Sequence, residues 1–487
     1  MPEFEETESL CPVCLARIPA RRVFYEEEVR LEKQCPAHGD FSSVIWRGPP
    51  NFEDWKRPKL PSQPPFCHTA VRAGCPFDCG LCPAHDQHTC TTLLEVTWRC
   101  NLGCPVCFAQ SGDRPPAPDP SLDAIAARIA HIRKTAGACT LQISGGEPTV
   151  RDDLPEIVRL AAAHDFSLLQ LNTNGLRFAR EPGYADKLRE AGLESVFLQF
   201  DAVRDEAYPL LRGRPLWPEK QEAVRALVRA GLGLVLVPTL VPGINTRDIG
   251  DIVAFALDHH PGVRGVHFQP VSYFGRYPAP PADADRITLP EVMRAVSEQT
   301  RGKINGDIRV ADFRPPGCEH ALCSFHAAYR VTEEGELKRQ GGGCGCCAAA
   351  PVEAAAGARQ SVSVTARRWR GPLIEKSGAA FMAESAKQPG VSAAAAGDDL
   401  DRFLAAAQKE SFTVSAMAFQ DVWTLDLERL RGCCIHVLAP DHKPAGESGG
   451  RLIPFCAYNL TAAGGEPLYR QIHARKAAEG ASEETCG

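Results

Sequence analysis

Three cysteines near residue 100 have the spacing of an iron–sulfur ligand set. Cys100, Cys104 and Cys107 form the pattern C-x3-C-x2-C directly after a short apolar run of sequence. Thiolates are the preferred protein ligands of iron–sulfur clusters, so these cysteines can ligate three corners of a 4Fe–4S cube. The missing fourth ligand leaves one iron open to a substrate or cofactor. A structural zinc site is the alternative, but such sites close with four protein ligands.

The same spacing occurs earlier in the chain, at Cys75, Cys79 and Cys82. We therefore predict a second iron–sulfur cluster just before the first strand of the main domain. Zinc is an alternative to the cluster at this position. The fourth ligand stays open among three nearby side chains, which are Cys67, His85 and Cys90.

The N-terminal region contains four further side chains of metal-binding type. Cys11 and Cys14 form a C-x2-C pair, and Cys35 forms a C-x2-H pair with His38. Proline and glycine beside these residues suit the two knuckles of a zinc ribbon or a rubredoxin-like site. We favour a structural metal over electron transfer, and the sequence does not choose between zinc and iron.

The C-terminal third of the chain supplies cysteines for a third cluster. Cys318 and Cys323 follow the main domain, and Cys456 lies in a late apolar segment. The fourth thiolate comes from one of two adjacent cysteines, Cys433 or Cys434. We predict Cys433, because it keeps a Cys-x-Ile-His pattern and because adjacent cysteines rarely both ligate one cluster.

Three more cysteines, Cys344, Cys346 and Cys347, lie in a glycine-rich loop. Thiols so closely spaced can bind a metal, form a redox pair or hold a reactive substrate adduct. A loop with incidental cysteines is the remaining possibility. The sequence leaves the role of this loop open.

The overall composition limits the classes of protein to which these sites can belong. The chain has 487 residues and 21 cysteines, an odd number in a large chain, and its first residues lack the basic and apolar regions of a secretory signal. We therefore expect a reduced, cytoplasmic protein whose cysteines bind metal. A net charge of −6 gives no overall basic field for nucleic acid. No apolar run is long enough to predict a membrane span.

The residues that position the cysteine motif form a repeating pattern of strands and helices. Short apolar runs alternate with amphipathic stretches such as Ser121–Thr135 and Glu219–Ala230. This order implies a parallel α/β sheet with right-handed crossovers. Because six units fall short of a closed eight-unit barrel, we predict a partial (βα)6 barrel with ligands at the carboxyl ends of its strands. The predicted strands are Leu93–Trp98, Thr140–Ser144, Ser167–Asn172, Ser195–Phe200, Gly233–Thr239 and Val263–Pro270.

The cysteine motif after the first strand resembles the signature of a large enzyme family. Cys100-x3-Cys104-x2-Cys107, followed at once by the aromatic Phe108, is similar to the motif of the radical S-adenosylmethionine (SAM) superfamily. The resemblance implies that SAM binds the open iron and that one electron cleaves it to methionine and a 5′-deoxyadenosyl radical. This radical abstracts hydrogen from an unactivated carbon. The resemblance also implies an electron donor such as ferredoxin or flavodoxin.

A second motif and several strand ends extend the resemblance. The segment Gly145-Gly146-Glu147-Pro148 resembles the GGEP motif, which contacts the amino group of SAM in the family. Two glycines let the backbone approach a ligand closely, and a carboxylate suits an ammonium group. The family also places cofactor-binding polar residues at strand ends. In this sequence the matching positions are Asn172, Asn174, Gln199, Asp201 and Gln269.

Over most of the chain, the motifs resemble one branch of this superfamily, which includes tetraether lipid synthases and pterin methyltransferases. The branch carries a SAM-binding 4Fe–4S cluster, two auxiliary 4Fe–4S clusters and a mononuclear zinc or iron site. The resemblance implies carbon–carbon coupling or methylation of a lipid or other small organic substrate. Two alternatives remain open: a peptide maturase with auxiliary clusters, and an iron–sulfur electron carrier without catalysis.

The positions of the cysteine groups predict the domain organisation. The N-terminal ribbon precedes an auxiliary cluster segment and the barrel, and a second auxiliary domain follows the barrel. An Ala/Gly-rich insertion, which we predict to be largely flexible, interrupts this last domain. The predicted bounds are 1–50 for the ribbon, 51–90 for the first auxiliary segment, 91–305 for the barrel, 306–347 with 411–473 for the C-terminal auxiliary domain, 348–410 for the insertion and 474–487 for a tail.

Overall fold

The computed structural model describes residues 2–112, 117–340, 351–372, 408–440 and 450–470. The cysteine-rich loop at 344–347, the tail at 474–487 and most of the predicted insertion lie outside the described residues. No helix in the described ranges has the length and apolar character needed to cross a bilayer.

A four-stranded antiparallel sheet forms the N-terminal module, as the ribbon prediction requires. Its strands are β1 (Phe4–Leu10), β2 (Arg17–Phe24), β3 (Glu28–Cys35) and β4 (Gly39–Arg47), in the order β1-β2-β3-β4. Buried and exposed residues alternate along β2 and β3, which is the period of a strand with one face on a core. The β1–β2 and β3–β4 turns therefore lie at the same end of the sheet and bring the two predicted metal-binding pairs together.

The ribbon module is joined to the C-terminal part of the chain by buried polar contacts. Arg22 in β2 donates from Nε to Oδ2 of Asp426 at 2.7 Å, and both side chains are almost completely buried. Lys33 in β3 donates from Nζ to the carbonyl of Val422 at 2.7 Å. The partners of these buried charges lie across the interface, so the module packs directly against the C-terminal part of the chain.

Six parallel strands form the curled central sheet, which confirms the predicted partial barrel. They are adjacent in chain order, and each is bounded within three residues of its predicted position. The first strand ends earlier than predicted, because the chain turns from it into the cysteine loop. The strands are β6 (Thr91–Glu95), β7 (Thr140–Ser144), β8 (Leu168–Thr173), β9 (Ser195–Gln199), β10 (Gly233–Val237) and β12 (Val263–Pro270), with the short β11 (Thr239–Leu240) beside β12.

Helices cover the outer face of this sheet with apolar stripes. In α3, Leu154, Ile157, Val158 and Ala161 recur at helical spacing and are buried. The hydroxyl of Ser121 accepts from the amide of Ala124 at 3.2 Å and so caps α2. The helices up to the end of the barrel are α1 (Phe52–Trp55), α2 (Leu122–Ala136), α3 (Leu154–Ala162), α4 (Leu176–Arg180), α5 (Tyr184–Glu190), α6 (Ala207–Arg212), α7 (Trp217–Arg229), α8 (Ile249–Asp258) and α9 (Leu289–Gln299), with short 3₁₀ turns at Pro148–Val150, Asp283–Asp285 and Val310–Asp312.

The C-terminal strands extend the barrel sheet at both edges instead of forming a separate body. At one edge, β16 pairs in parallel with β12 and antiparallel with β13, which is followed by β14. At the other edge, β17 pairs in parallel with β6 and antiparallel with β18. An open barrel leaves two edges of unpaired backbone groups, and these strands cover both. Their bounds are β13 (Ser324–Val331), β14 (Leu337–Arg339), β16 (Ser411–Met417), β17 (Ile435–Ala439) and β18 (Arg451–Pro454), with α11 (Leu427–Arg431) and α12 (Phe455–Asn459) between and after them.

Part of the predicted flexible insertion is a regular helix, which corrects the prediction for residues 351–372. β15 (Val352–Glu353) pairs with β5 (Lys59–Leu60), and α10 (Ala354–Trp369) packs against β8, β10, β12 and β16. Its alanine and glycine residues permit close approach: a Cβ at Gly357 would lie 2.3 Å from the carbonyl oxygen of Gly317. The small residues of this stretch therefore allow the helix to pack closely against its neighbours. In this position α10 closes the amino-terminal end of the barrel.

Candidate active site and metal centres

A cavity of about 620 Å³ occupies the inside of the barrel. Side chains at the carboxyl ends of the strands line it, among them Ser144, Asn172 and Gln199. Thr91 and Thr140 at the amino ends of their strands also line it, so the cavity passes through the barrel from one end to the other. Its volume is that of an ordinary small-molecule site.

The three cysteines of the first motif line the carboxyl-terminal end of this cavity. Backbone hydrogen bonds fix their loop: Cys100 N donates to Gly112 O at 2.9 Å, and Cys107 exchanges two such bonds with Arg276 at 2.9 and 3.0 Å. The guanidinium of Arg276 also donates to the carbonyl of Cys104 at 2.9 Å. Three thiols on one short, anchored loop fit a 4Fe–4S cluster that keeps one iron open.

The two glycines of the second motif pack against the cysteine loop. A Cβ at Gly145 would lie 2.3 Å from Thr97 O, and a Cβ at Gly146 would lie 2.3 Å from Arg99 O. The amide of Gly146 donates to Thr97 O at 2.9 Å, and that of Glu147 donates to Arg99 O at 2.8 Å. The sequence suggested that these glycines admit a ligand. The structure gives them a further reason, which is contact with the loop that holds the thiols.

Gly146→Ala is expected to slow SAM cleavage by about 100-fold, since an error of about 1 Å in a reacting group can cost that much. The added methyl group must displace the backbone at Arg99, next to Cys100. Gly103→Ala is the matched control in the same loop, because a Cβ at Gly103 meets nothing within 4 Å. Formation of 5′-deoxyadenosine and iron content per chain measure the effect. Equal rates for the two variants would contradict the packing role.

Glu147 uses its carboxylate to join neighbouring strand ends. The side chain is 1% exposed. Oε1 accepts from the amide and hydroxyl of Thr149 at 3.1 and 2.6 Å and from the hydroxyl of Thr173 at 2.7 Å, while Oε2 accepts from the amide of Asn174 at 2.6 Å. The carboxylate therefore holds β7 and β8 in register at the cavity, where Glu147 also lines the wall.

The predicted strand-end residues fall into two groups. Phe108, Gly145, Gly146, Glu147, Asn172, Asn174, Gln199 and Gln269 line the cavity. Pro148 and Asp201 are not among the lining residues, and both are buried behind it. Asp201 is predicted to contact the cofactor, but its carboxylate is bound by Arg212 instead. Nη2 and Nε of Arg212 lie 2.7 and 2.8 Å from the two oxygens of Asp201.

Arg212 and Lys220 are buried cations that the sequence prediction missed. Arg212 lines the cavity beside Cys104. Burial of Asp201 would raise the pKa of its carboxyl group, but the charge of Arg212 outweighs that effect and holds the pKa below its ordinary value. Lys220 donates to the carbonyls of Asn174 and Gln199 at 2.6 and 2.7 Å, and burial lowers the pKa of its ammonium to about 8. The helical spacing in the sequence could have predicted that Lys220 is buried. Lys220 lies one to two turns before buried apolar residues on the same face of α7.

A further buried ion pair lies behind Phe108. Arg470 pairs with Glu95, and its guanidinium lies 5.5 Å from the ring centre of Phe108 and 5.0 Å from that of Tyr458. Tyr458 donates to Glu95 Oε2 at 3.1 Å. These contacts connect the end of β6, the cysteine loop and α12. No pattern in the sequence indicated this pairing, because its members are separated by more than 350 residues.

The N-terminal metal-binding residues come together as predicted from their spacing. One donor atom from each of Cys11, Cys14, Cys35 and His38 lies within 4.8 Å of the others. Nδ1 of His38 is 3.6 Å from the Cys11 sulfur and 3.5 Å from the Cys35 sulfur. This set fits a single tetrahedral ion.

The second cysteine group lies in the irregular segment between the ribbon and the barrel. Cys79 and Cys82 are buried, and Cys75 is partly exposed. Of the three proposed fourth ligands, Cys67 is exposed, and Nε2 of His85 lies 2.7 Å from the carbonyl oxygen of Cys433. Cys90 lies in another group.

The structure divides the cysteines that the sequence placed in one C-terminal cluster. Burial raises the pKa of the Cys433 thiol, and the charges of Cys456 and Cys323 raise it further, so these three thiols interact electrostatically. The charge of Cys433 also contributes to the raised pKa of Cys79. Cys318 instead joins Cys90, Cys434 and Glu319, whose donor atoms all lie within 4.8 Å of one another. The sequence prediction missed this group because Cys90 and Cys434 become neighbours only when β17 pairs with β6.

Comparisons with known proteins match two parts of the chain to family models and most of the chain to one relative. The Radical SAM superfamily model matches residues 94–256, and the model of the HMPTM N-terminal zinc ribbon domain matches residues 4–47. The 7,8-dihydro-6-hydroxymethylpterin dimethyltransferase of Methanocaldococcus jannaschii is 32% identical over 93% of each chain.

More distant relatives match smaller parts of the chain. A probable GTP 3′,8-cyclase of Archaeoglobus fulgidus is 29% identical over 50% of this chain and 83% of its own. The crystal structure of Streptococcus suis SuiB matches 40% of this chain and 43% of its own, with 16% identity and a TM-score of 0.34. The chain belongs to the radical SAM superfamily, in the family of the Methanocaldococcus jannaschii 7,8-dihydro-6-hydroxymethylpterin dimethyltransferase.

Proposed function

We propose that this radical SAM enzyme replaces a hydrogen on a carbon of a reduced 6-hydroxymethylpterin by a methyl group, which comes from a second SAM or from another one-carbon donor of the cell. The relative that matches 93% of both chains is named for dimethylation of that compound. When bound, a 4Fe–4S cluster with SAM supplies a 5′-deoxyadenosyl radical, which can act on an unactivated carbon. The observation that carries the substrate proposal is the polar and aromatic lining of the barrel cavity.

The residues of the cavity fit the cofactors that the family implies. Cys100, Cys104 and Cys107 present three thiols to the cavity, as a cluster with one open iron requires. Oδ1 of Asn172 is buried and has no hydrogen-bond partner among the described residues. A buried amide oxygen without a partner is costly, so it favours a ligand that carries N–H or O–H groups. The amino groups of SAM and of a pterin both meet that requirement.

Three aromatic side chains form a wall of the same cavity. Phe197 is stacked on His267 at 5.5 Å between ring centres, and Trp369 of α10 lies 5.0 Å from Phe197. Aromatic faces suit a planar heterocycle, and the amide of Gln269 can recognise its polar edge. The amide of Gln142 is already hydrogen-bonded to Gln170 and Asn172. An alkyl chain would offer the Gln269 amide no hydrogen-bond partner. The cavity therefore favours a pterin-like ring over a lipid.

Each group of residues has a distinct part in this proposal. The cysteine loop holds the cluster, and Gly145 and Gly146 hold the loop. Asn172 and Gln199 donate and accept hydrogen bonds with SAM or substrate at the strand ends. Lys220 joins β8 to β9 through two carbonyls, so that these side chains keep their positions when a ligand binds.

Electron supply and structural metals complete the proposed function. We assign one auxiliary iron–sulfur cluster to the thiols of Cys75, Cys79 and Cys82 and another to those of Cys323, Cys433 and Cys456, all of which are buried or partly buried. A low-potential donor such as reduced ferredoxin or flavodoxin supplies the electron. The ribbon ion, zinc or iron, has a structural role.

Anaerobic expression of the full chain in a bacterial host tests the substrate. Extracted pterins are separated and their masses are measured by mass spectrometry. We expect species heavier than 6-hydroxymethylpterin by one CH2 unit for each methyl group that replaces a hydrogen. The host supplies one-carbon donors, and feeding methyl-labelled methionine shows whether the new methyl group comes from SAM. The Cys107→Ala variant is the control for background chemistry.

Two results would overturn different parts of the proposal. If the purified, reduced enzyme forms 5′-deoxyadenosine but no methylated pterin appears in cells, the substrate is wrong and the radical chemistry stands. If methylated pterins are equally abundant with the Cys107→Ala variant, they come from another enzyme.

A further inference from the structure

Cys90, Cys318, Cys434 and Glu319 form a compact group of metal-binding type outside the SAM site. One donor atom of each lies within 4.8 Å of the other three. The sulfurs of Cys90 and Cys434 are 2.8 Å apart. The three thiols are buried, with exposures of 5%, 2% and 1% in chain order. They come from three distant parts of the chain, so their convergence is a property of the fold and not of a local loop.

Backbone contacts fix each of these residues in place. Cys90 N donates to Cys434 O at 2.8 Å, and Thr140 N donates to Cys90 O at 2.9 Å. The buried amide of Gln87 donates to Cys318 O at 2.8 Å, and Lys59 donates to the carbonyl of Glu319. A site whose ligands are held by surrounding hydrogen bonds is preorganised for binding.

The group lies at the amino-terminal end of the barrel, opposite the SAM site. Cys90 directly precedes β6, and Cys100 follows it after the strand has ended. Five residues of strand separate the two ends by about 17 Å. Cys90, Cys318 and Glu319 line the same cavity as the catalytic cysteines.

The spacing of the donors distinguishes between a single ion and a cluster. A tetrahedral ion bound at about 2.3 Å by thiolates places their sulfurs about 3.8 Å apart. The ligands of a 4Fe–4S cluster are more widely separated, because each binds a different iron. The donors of this group all fall within 4.8 Å, which is the scale of a single ion and the same scale as the ribbon site. The sulfurs of Cys90 and Cys434, 2.8 Å apart, must separate by about 1 Å to bind a tetrahedral ion. Three thiolates select soft ions such as zinc or ferrous iron.

We propose that Cys90, Cys318 and Cys434 bind a single zinc or ferrous ion that faces the cavity, with Glu319 as its fourth ligand. This ion is additional to the ribbon ion and to the auxiliary clusters. Its presence does not depend on which substrate the enzyme methylates, so the proposal stands or falls separately from the pterin assignment.

Metal analysis of full-length single variants tests the site. Cys90→Ser, Cys318→Ser and Cys434→Ser are each expected to lose one metal ion per chain and to keep their other iron. Cys139→Ser is the matched control, because Cys139 is also buried and directly precedes β7. Within the described residues, its sulfur has one polar contact, with the hydroxyl of Thr92. Circular dichroism and the ribbon metal report whether each variant has folded.

X-ray absorption spectroscopy gives a second measurement, which leaves Cys90, Cys318, Cys434 and Glu319 unchanged. In a Cys11→Ser/Cys14→Ser background, which lacks the ribbon ion, we expect one remaining mononuclear metal with three sulfur ligands and one oxygen ligand. Loss of about four irons instead of one ion from the Cys434→Ser variant, with weaker iron–iron scattering from the clusters that remain, would overturn the single-ion proposal. A Cys90–Cys434 disulfide in the purified protein, detected by mass spectrometry, would also overturn it.

Discussion

Cys104→Ala is expected to abolish the formation of 5′-deoxyadenosine from SAM. The variant removes one of the three thiols that line the carboxyl-terminal end of the cavity. A cluster held by two cysteines has lost a third of its protein ligands, and SAM cleavage requires the intact cluster. Purified variant and wild type are reduced without oxygen, and the nucleoside is measured by chromatography together with iron per chain.

Cys139→Ala controls for the loss of a buried thiol as such. Cys139 is 1% exposed and lies at the opposite end of β7 from the second motif. We expect this variant to keep both iron content and SAM cleavage. The ribbon metal is expected to remain in both variants, since its ligands lie in a separate sheet. Unchanged iron and SAM cleavage in Cys104→Ala would show that the cluster ligands are assigned wrongly.

Asp201→Asn is expected to lower the free energy of unfolding by about 3–5 kcal/mol, the usual cost of removing one partner of a buried ion pair. Asp201 is fully buried and accepts from Arg212, from the amide of Thr239 at 3.1 Å and from the side chain of Gln199 at 2.6 Å. The variant leaves the Arg212 charge buried without its counter-ion. Urea unfolding under anaerobic conditions, followed by tryptophan fluorescence, measures the loss.

The same ion pair predicts a dependence of stability on pH. Burial alone would raise the pKa of Asp201, but Arg212 holds it below the ordinary value. The stabilisation is therefore complete above the unfolded pKa of about 3.9 and is lost as the pH falls through the lower folded pKa. We expect the difference between wild type and Asp201→Asn to be constant near neutral pH and to shrink in acid below about pH 4.

A double variant separates the ion pair from other effects of the substitution. Asp201→Asn/Arg212→Leu removes both charges, and replacing a buried pair by neutral groups is often close to neutral for stability. We expect it to recover most of the stability that the single variant loses, although Arg212 lines the cavity and its loss affects ligand binding. Equal destabilisation of the single and double variants would contradict the role of charge.

Several features of the site follow from residues that are close together in the chain. The C-x3-C-x2-C motif predicted the loop at Cys100–Cys107, and Gly145-Gly146 predicted a backbone that a ligand can approach closely at the next strand end. The hydrophobic periodicity predicted the six parallel strands, because strand and helix periods are local properties of a sequence. The ribbon ligands also followed from spacing, since two tight turns of one small sheet suffice to bring them together.

Other features depend on partners that the chain brings together from far apart. Cys318 was assigned to the wrong neighbours by its spacing to Cys323, because the pairing of β17 with β6 carries Cys434 to Cys90. The composition of the Ala-rich stretch predicts flexibility, but part of it forms α10, since sequence periodicity does not report a surface on which small residues pack. Asp201 was expected to contact the cofactor, but α6 brings Arg212 to its carboxylate.

The sequence by itself determined that this protein is a radical SAM enzyme, because three cysteines at fixed spacing and a glycine-rich strand end are patterns of neighbouring residues. Only the tertiary structure decided how the remaining cysteines are grouped and what shapes the cavity. Thiols such as Cys90 and Cys434 are 344 residues apart in the chain. Their approach depends on the edges of an open barrel that must be covered, and that requirement is met by packing of the whole domain rather than by any local pattern.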